Sequence, residues 1–106
     1  MPTVRVAVPH DRDPDEVVQR AQPYIEKMVD DFEGHDLDLE WDGHKAEFSF
    51  KSLAFTITGT TEVTPEQIEV AIDLPMMAMM FKDKVEKAIN KNLNRALSDE
   101  APPEKA

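Results

Sequence analysis

The run DLDLEWDGHKAEFSF, from Asp36 to Phe50, decides the fold. Leu37, Leu39 and Trp41 alternate with Asp38 and Glu40, and then Ala46, Phe48 and Phe50 alternate with Glu47 and Ser49. Successive side chains on a strand point to opposite faces, so a period of two marks a strand with one buried face. Between the two runs stand Asp42 and Gly43, an Asp-Gly pair of the kind a tight hairpin turn favours. The stretch therefore predicts an antiparallel hairpin with an apolar and a polar face, and the rest of the chain has to cover the apolar one.

Downstream, a third run sets Leu53, Phe55 and Ile57 against Ala54, Thr56 and Thr58. After a turn at Thr64–Gln67, a fourth sets Ile68, Val70, Ile72 and Leu74 against Glu69, Ala71 and Asp73. Upstream, Val4, Val6 and Val8 alternate with Thr3, Arg5 and Ala7 until Pro9 ends the strand.

The period changes to helical twice. Asp13 reads as an N-cap, Pro14 as the first helical residue, and Asp15 and Glu16 as an acidic first turn. Val17, Val18, Ala21, Tyr24, Ile25, Met28, Val29 and Phe32 then form one apolar stripe, with Gly34 as the expected stop. Pro23 falls on the polar side of this helix, where a kink rather than a break is expected. A final helix is predicted from about Pro75 to about Leu97, with Phe81, Val85, Ala88, Ile89, Leu93 and Ala96 as its stripe.

The fold class is α+β: a mostly antiparallel five-stranded sheet in the order β-α-β-β-β-β-α, with both helices on one face because each has a single stripe to bury. Residues 1–97 read as a single domain, as expected for a chain of 106 residues, and 98–106 as a polar, proline-rich, disordered tail. The place of the first strand in the sheet is not encoded in its pattern.

Composition excludes several functions. With no cysteine there is neither a disulfide nor a thiolate metal site, which accords with a reducing compartment. With 22 acidic and 12 basic residues, the formal net charge of -10 repels nucleic acid and disfavours anionic lipid. No run approaches the roughly 20 apolar residues of a membrane span, and MPTVRVAV lacks the features of a secretory signal. A cytoplasmic protein meeting its partner through apolar contact is expected.

Four methionines occupy five positions, Met76, Met77, Met79 and Met80. Wound as an α-helix in phase with Val85 and Ile89, Met77 falls near one edge of the buried stripe and Met79 just outside the other, while Met76 and Met80 project outward. Thioethers commonly fill irregular core space. A cluster partly outside the stripe also makes an apolar binding patch, and these four residues are the candidate binding site. Soft-metal coordination by thioethers lacks any supplementing Cys or nearby His.

Other chemistry is weakly signalled. His10, His35 and His44 all fall in turns; His35 with Asp36 and Asp38 does not share one strand face, as a metal site would need. Ser49 has no GxSxG context. Asp38, Glu40, Glu47, Glu69 and Asp73 read as a hydrated sheet face. No catalytic residue, metal or cofactor is assigned.

Three segments carry a family resemblance: VAVPH at Val6–His10, EWDGHKAEFSF at Glu40–Phe50, and ITGTTEVTPEQIEVAIDLPMMAMMFKDKVEKAINKNL at Ile57–Leu93. Together they resemble the bacterial polyhydroxyalkanoic acid system proteins. The resemblance implies a cytoplasmic, non-catalytic accessory of polyester storage whose partner is the polyester granule or a granule-associated protein. In members the third and fourth strands are joined through a glycine, where this chain has Lys51, Ser52 and Leu53. A module enclosing a small acyl-type ligand and a structural homodimer are the alternative readings.

Overall fold

The computed structural model describes residues 3–52 and 55–97; the expected tail at 98–106 lies outside these, as do Leu53 and Ala54 of the third run. The elements are β1 (Thr3–Pro9), α1 (Pro14–Asp31), β2 (Gly34–Asp42), β3 (Lys45–Ser52), β4 (Phe55–Val63), β5 (Gln67–Asp73), a 3-10 helix (Met76–Phe81) and α2 (Lys82–Ala96). The order β-α-β-β-β-β-α is thus the one read from the pattern.

All five strands form one antiparallel sheet, β1-β5-β4-β3-β2. The first strand takes an edge, with Val4 opposite Ile72 and Val8 opposite Ile68. Both helices cover the inner face and pack on each other, α2 over β1 and α1 over β2. Between helices and sheet lies the core: Val4, Val6, Phe48, Phe50, Ile68, Val70 and Ile72 from the strands meet Val17, Ile25, Met28, Val29, Ile89 and Leu93 from the helices. Phe50 sits at its centre, its ring stacked 6.3 Å from those of both Phe32 and Phe48.

The N-terminus of α1 is capped as expected, the Asp13 carboxylate accepting the Asp15 N–H at 2.9 Å. The helix runs unbroken through Pro23. Its C-terminus corrects the sequence reading. The left-handed residue after the helix is Glu33, at φ +56°, and Gly34 already belongs to β2. Gly34 is required by space instead: a Cβ there would stand 2.7 Å from both Phe50 Cδ2 and Val29 Cγ1. The hairpin turn is likewise displaced by one residue. Asp42 pairs with Lys45, so Gly43 and His44 are the turn residues, with positive φ only at Gly43, as a type II′ turn requires.

Two arginines, one just before α1 and one on it, tie this end of the molecule to the end of α2 in a way no local pattern signals. Arg12 Nε donates to the Leu97 carbonyl at 3.2 Å and an Arg20 guanidinium N–H to the Ala96 carbonyl at 3.5 Å, so one cation from the β1–α1 connection and one from α1 meet the negative end of α2. At the same end, Arg12 N–H donates to His10 Nδ1 at 3.0 Å, which makes Nε2 the protonated nitrogen that donates to the Thr64 carbonyl at 2.8 Å. The first loop histidine is therefore a structural clasp between the β1–α1 and β4–β5 connections.

Candidate functional site: an exposed methionine platform beside an apolar notch

The segment after β5 is where the chain departs most from expectation. Leu74 is buried and Pro75, in an extended conformation, starts the next turn without a side-chain cap. The Ala78 N–H bonds to the Pro75 carbonyl at 2.8 Å, a span of three residues rather than four. From Met76 to Phe81 the chain is therefore a 3-10 helix, and only from Lys82 an α-helix.

Pitch decides which methionines are covered. At three residues per turn, side chains three apart eclipse each other. Ala78 and Phe81 share the inward side, Met77 and Met80 the outward side, and Met76 and Met79 the flank. Ala78 is buried, Met79 is partly covered, and Met76, Met77 and Met80 are 75%, 78% and 81% exposed. This corrects the α-helical reading of the cluster, which placed Met77 nearer the core than Met79. It also corrects Phe81, expected in the buried stripe and found 42% exposed. Among the described residues, the large apolar side chains left exposed are these three methionines and Phe81, all within six consecutive positions.

Next to this platform lies an apolar notch of about 130 Å³, walled by Phe32, Phe55, Ile57, Leu74, Phe81 and Val85. Asp31, Glu33 and Lys84 also border it. Phe81 belongs to both features and makes them continuous. Small-molecule sites usually occupy roughly 300 to 1,000 Å³, and the notch, below that range, is sized for one side chain or a chain end. A larger depression of about 330 Å³ lies on the outer face of the sheet, but Asp38, Glu40, Glu47, Asp73 and three hydroxyl residues line it, and it is an open polar trough.

The wall of the notch is fixed by polar contacts that sequence patterning missed. Ser52 Oγ donates to the Phe32 carbonyl at 2.6 Å, tying β3 to the end of α1. Asn92 lies buried within the apolar stripe of α2; its amide donates to Asp31 Oδ2 at 3.2 Å and to the Ala88 carbonyl at 2.8 Å. Lys27, one turn before Asp31, pairs with its other oxygen. Burial raises the Asp31 carboxyl, but the hydrogen bonds from Lys27 and Asn92 and the charges of Lys27 and Lys91 outweigh it, and the group sits below its ordinary value. A polar residue placed within a helical apolar stripe was the available signal for Asn92.

The remaining candidates do not converge. His35 and Asp36 stand 3.9 Å apart at a bulge where Asp36 takes a positive φ. His44 Nε2 lies 2.7 Å from Asp15 Oδ1, linking the hairpin turn to the first turn of α1. Among the described residues no group of three His, Asp or Glu side chains is arranged to hold a metal ion. Ser49 faces outward between Asp38 and Thr58, its register partners.

Sheet, helices and platform define a small α+β domain with a sealed core and one open apolar end. The family model of polyhydroxyalkanoic acid system proteins matches residues 4–97, and this chain belongs to that family. No curated protein matches the chain. Among solved structures, the crystal structure of TTHA0849 from Thermus thermophilus is similar at 13% identity and a TM-score of 0.41, over 91% of this chain and 94% of that one. No helix among the described residues is long and apolar enough to cross a membrane.

Proposed function

We propose that this protein is a non-catalytic accessory of polyhydroxyalkanoate storage in the cytoplasm, and that its methionine platform docks on the polyester granule or on a granule-associated protein. The observation that carries this reading is that, among the described residues, the exposed large apolar side chains are Met76, Met77, Met80 and Phe81. Scattered apolar residues on a surface need no explanation, whereas a contiguous patch points to an interaction site. Met79, partly covered, lies between Met77 and Met80 in the sequence.

Energetics sets how much surface is needed. Covering three methionines supplies roughly 4 to 8 kcal/mol, and association costs roughly 4 to 15 kcal/mol. The three alone do not hold a protein partner, so Phe81 and the notch have to join the contact. An extended apolar granule surface meets this need without shape complementarity, since a broad apolar face needs no pocket matched to each side chain.

The double substitution Met76→Asp with Met80→Asp tests the reading. The variant is expected to keep the wild-type circular dichroism and to lose co-sedimentation with purified granules. Undiminished co-sedimentation removes the proposal.

A further inference from the structure

We infer that Met76, Met77 and Met80 form a peroxide-sensitive modification site, at which conversion of thioethers to sulfoxides turns the docking platform from apolar to polar. The inference rests on the docking reading and adds its regulation. It stands on a contrast within one side-chain type. Three thioethers lie 75–81% exposed on one short helix, Met79 beside them is partly covered, and Met28 is 1% exposed in the core between α1 and the sheet. Oxidation of methionine makes a flexible apolar side chain polar and chiral, which disrupts a methionine-rich contact surface.

The chemistry balances with a hydroperoxide as oxidant. The sulfur lone pair attacks the distal peroxide oxygen, a sulfur–oxygen bond forms and the oxygen–oxygen bond breaks. The sulfur loses two electrons and the peroxide gains them; the proton on the transferred oxygen passes to the released alkoxide or hydroxide, leaving the sulfoxide and an alcohol or water. No base in the protein is needed, which accords with a platform built only of thioethers and a phenyl ring. The 3-10 pitch adds a geometrical element: Met77 and Met80 eclipse on the outward side, roughly 6 Å apart along the axis at about 2 Å rise per residue. Two sulfoxides there lie side by side on the face offered to a partner. The core is untouched because none of the three side chains belongs to it.

The experiment treats the full chain with dilute hydrogen peroxide and follows oxygen addition by peptide mass mapping, retention on a phenyl matrix, and granule co-sedimentation. Expected are oxidation at Met76, Met77 and Met80 at least about tenfold faster than at Met28, unchanged circular dichroism, weaker phenyl retention, and at least about tenfold less protein on granules. In a variant with Met76→Leu, Met77→Leu and Met80→Leu, which has no thioether on the platform at these three positions, the granule co-sedimentation and phenyl retention shown by the untreated variant should be the same after peroxide. Oxidation of Met28 as fast as the platform, or retention unchanged after the platform is oxidised, overturns the inference. Untreated protein that fails to reach granules defeats the docking reading instead, while mass mapping and phenyl retention still decide the modification site.

Discussion

Two neighbouring helical segments, Met76–Phe81 and Lys82–Ala96, treat their apolar residues in opposite ways. In α2, Val85, Ile89, Leu93 and Ala96 are all buried. In the 3-10 segment only Ala78 is, and the larger side chains are exposed or only partly covered. The richer supply of apolar side chains lies in the segment that buries fewer. What differs is winding. An α-helix brings residues three and four apart onto one stripe, whereas a 3-10 helix spreads six residues over three sides, only one of which meets the core. An apolar composition that would otherwise be core material becomes surface through pitch.

The contrast makes the sealed side costly to alter and the open side cheap, and substitutions test both halves. Phe50→Ala removes the central ring and should cost about 3–5 kcal/mol, measured by urea denaturation; a loss below about 1 kcal/mol would break the assignment of this core. Gly59→Ala follows. Phe48 lies across Gly59, and a Cβ there would stand 2.5 Å from Phe48 Cζ and 2.6 Å from the Ala71 carbonyl oxygen. A cost of about 1–3 kcal/mol is expected from such overpacking, and a neutral outcome would show that the sheet can yield.

Thr61 should move the other way. Its hydroxyl is buried on the inner face with no hydrogen-bond partner. Thr61→Val keeps the shape and removes an uncompensated polar atom, so a gain of about 1 kcal/mol is expected; calorimetry showing a loss would mean that the hydroxyl has a partner in solution. A smaller effect belongs to Asp31, whose carboxyl sits below its ordinary value at the notch. A depressed carboxyl contributes stability above its unfolded value near 3.8, and that contribution is lost as pH falls through the folded value. Asp31→Asn should flatten the acid limb of the stability profile below about pH 4 and leave the protein more nearly parallel to wild type above it.

At the bottom of the scale lies the platform. Met76→Asp with Met80→Asp should change stability by no more than about 0.5 kcal/mol, as for surface positions with no structural partner. A core-sized loss there would erase the distinction between the two segments.

The hairpin, the element order and the inner faces were legible because alternation over Leu37–Phe50 and Ile68–Leu74 is a local property that burial then enforces. The capped start of α1 was legible for the same reason, since Asp13 and Pro14 act within one turn. Gly34 and Gly43 show where local reading fell short. At Gly34 the constraint is the space left by Phe50 and Val29 rather than a backbone angle, and at Gly43 the register across β2 and β3 selected the turn residues. Asn92, Ser52 and the arginine contacts to the end of α2 join residues far apart in sequence, so no window along the chain reveals them.

Taken by itself, the amino-acid order determined that this protein would be an α+β domain with one striped helix after its first strand and another after its last, because periodicity, caps and turn residues act over a few neighbours. Tertiary structure alone decided that the first strand takes an edge beside the fifth, and that the methionines wind at three residues per turn. The physical reason is that Leu74 and Ala78 are drawn into the core together: that anchoring of the short connection into α2 goes with the tighter pitch, and with it the outward turn of Met76, Met77 and Met80.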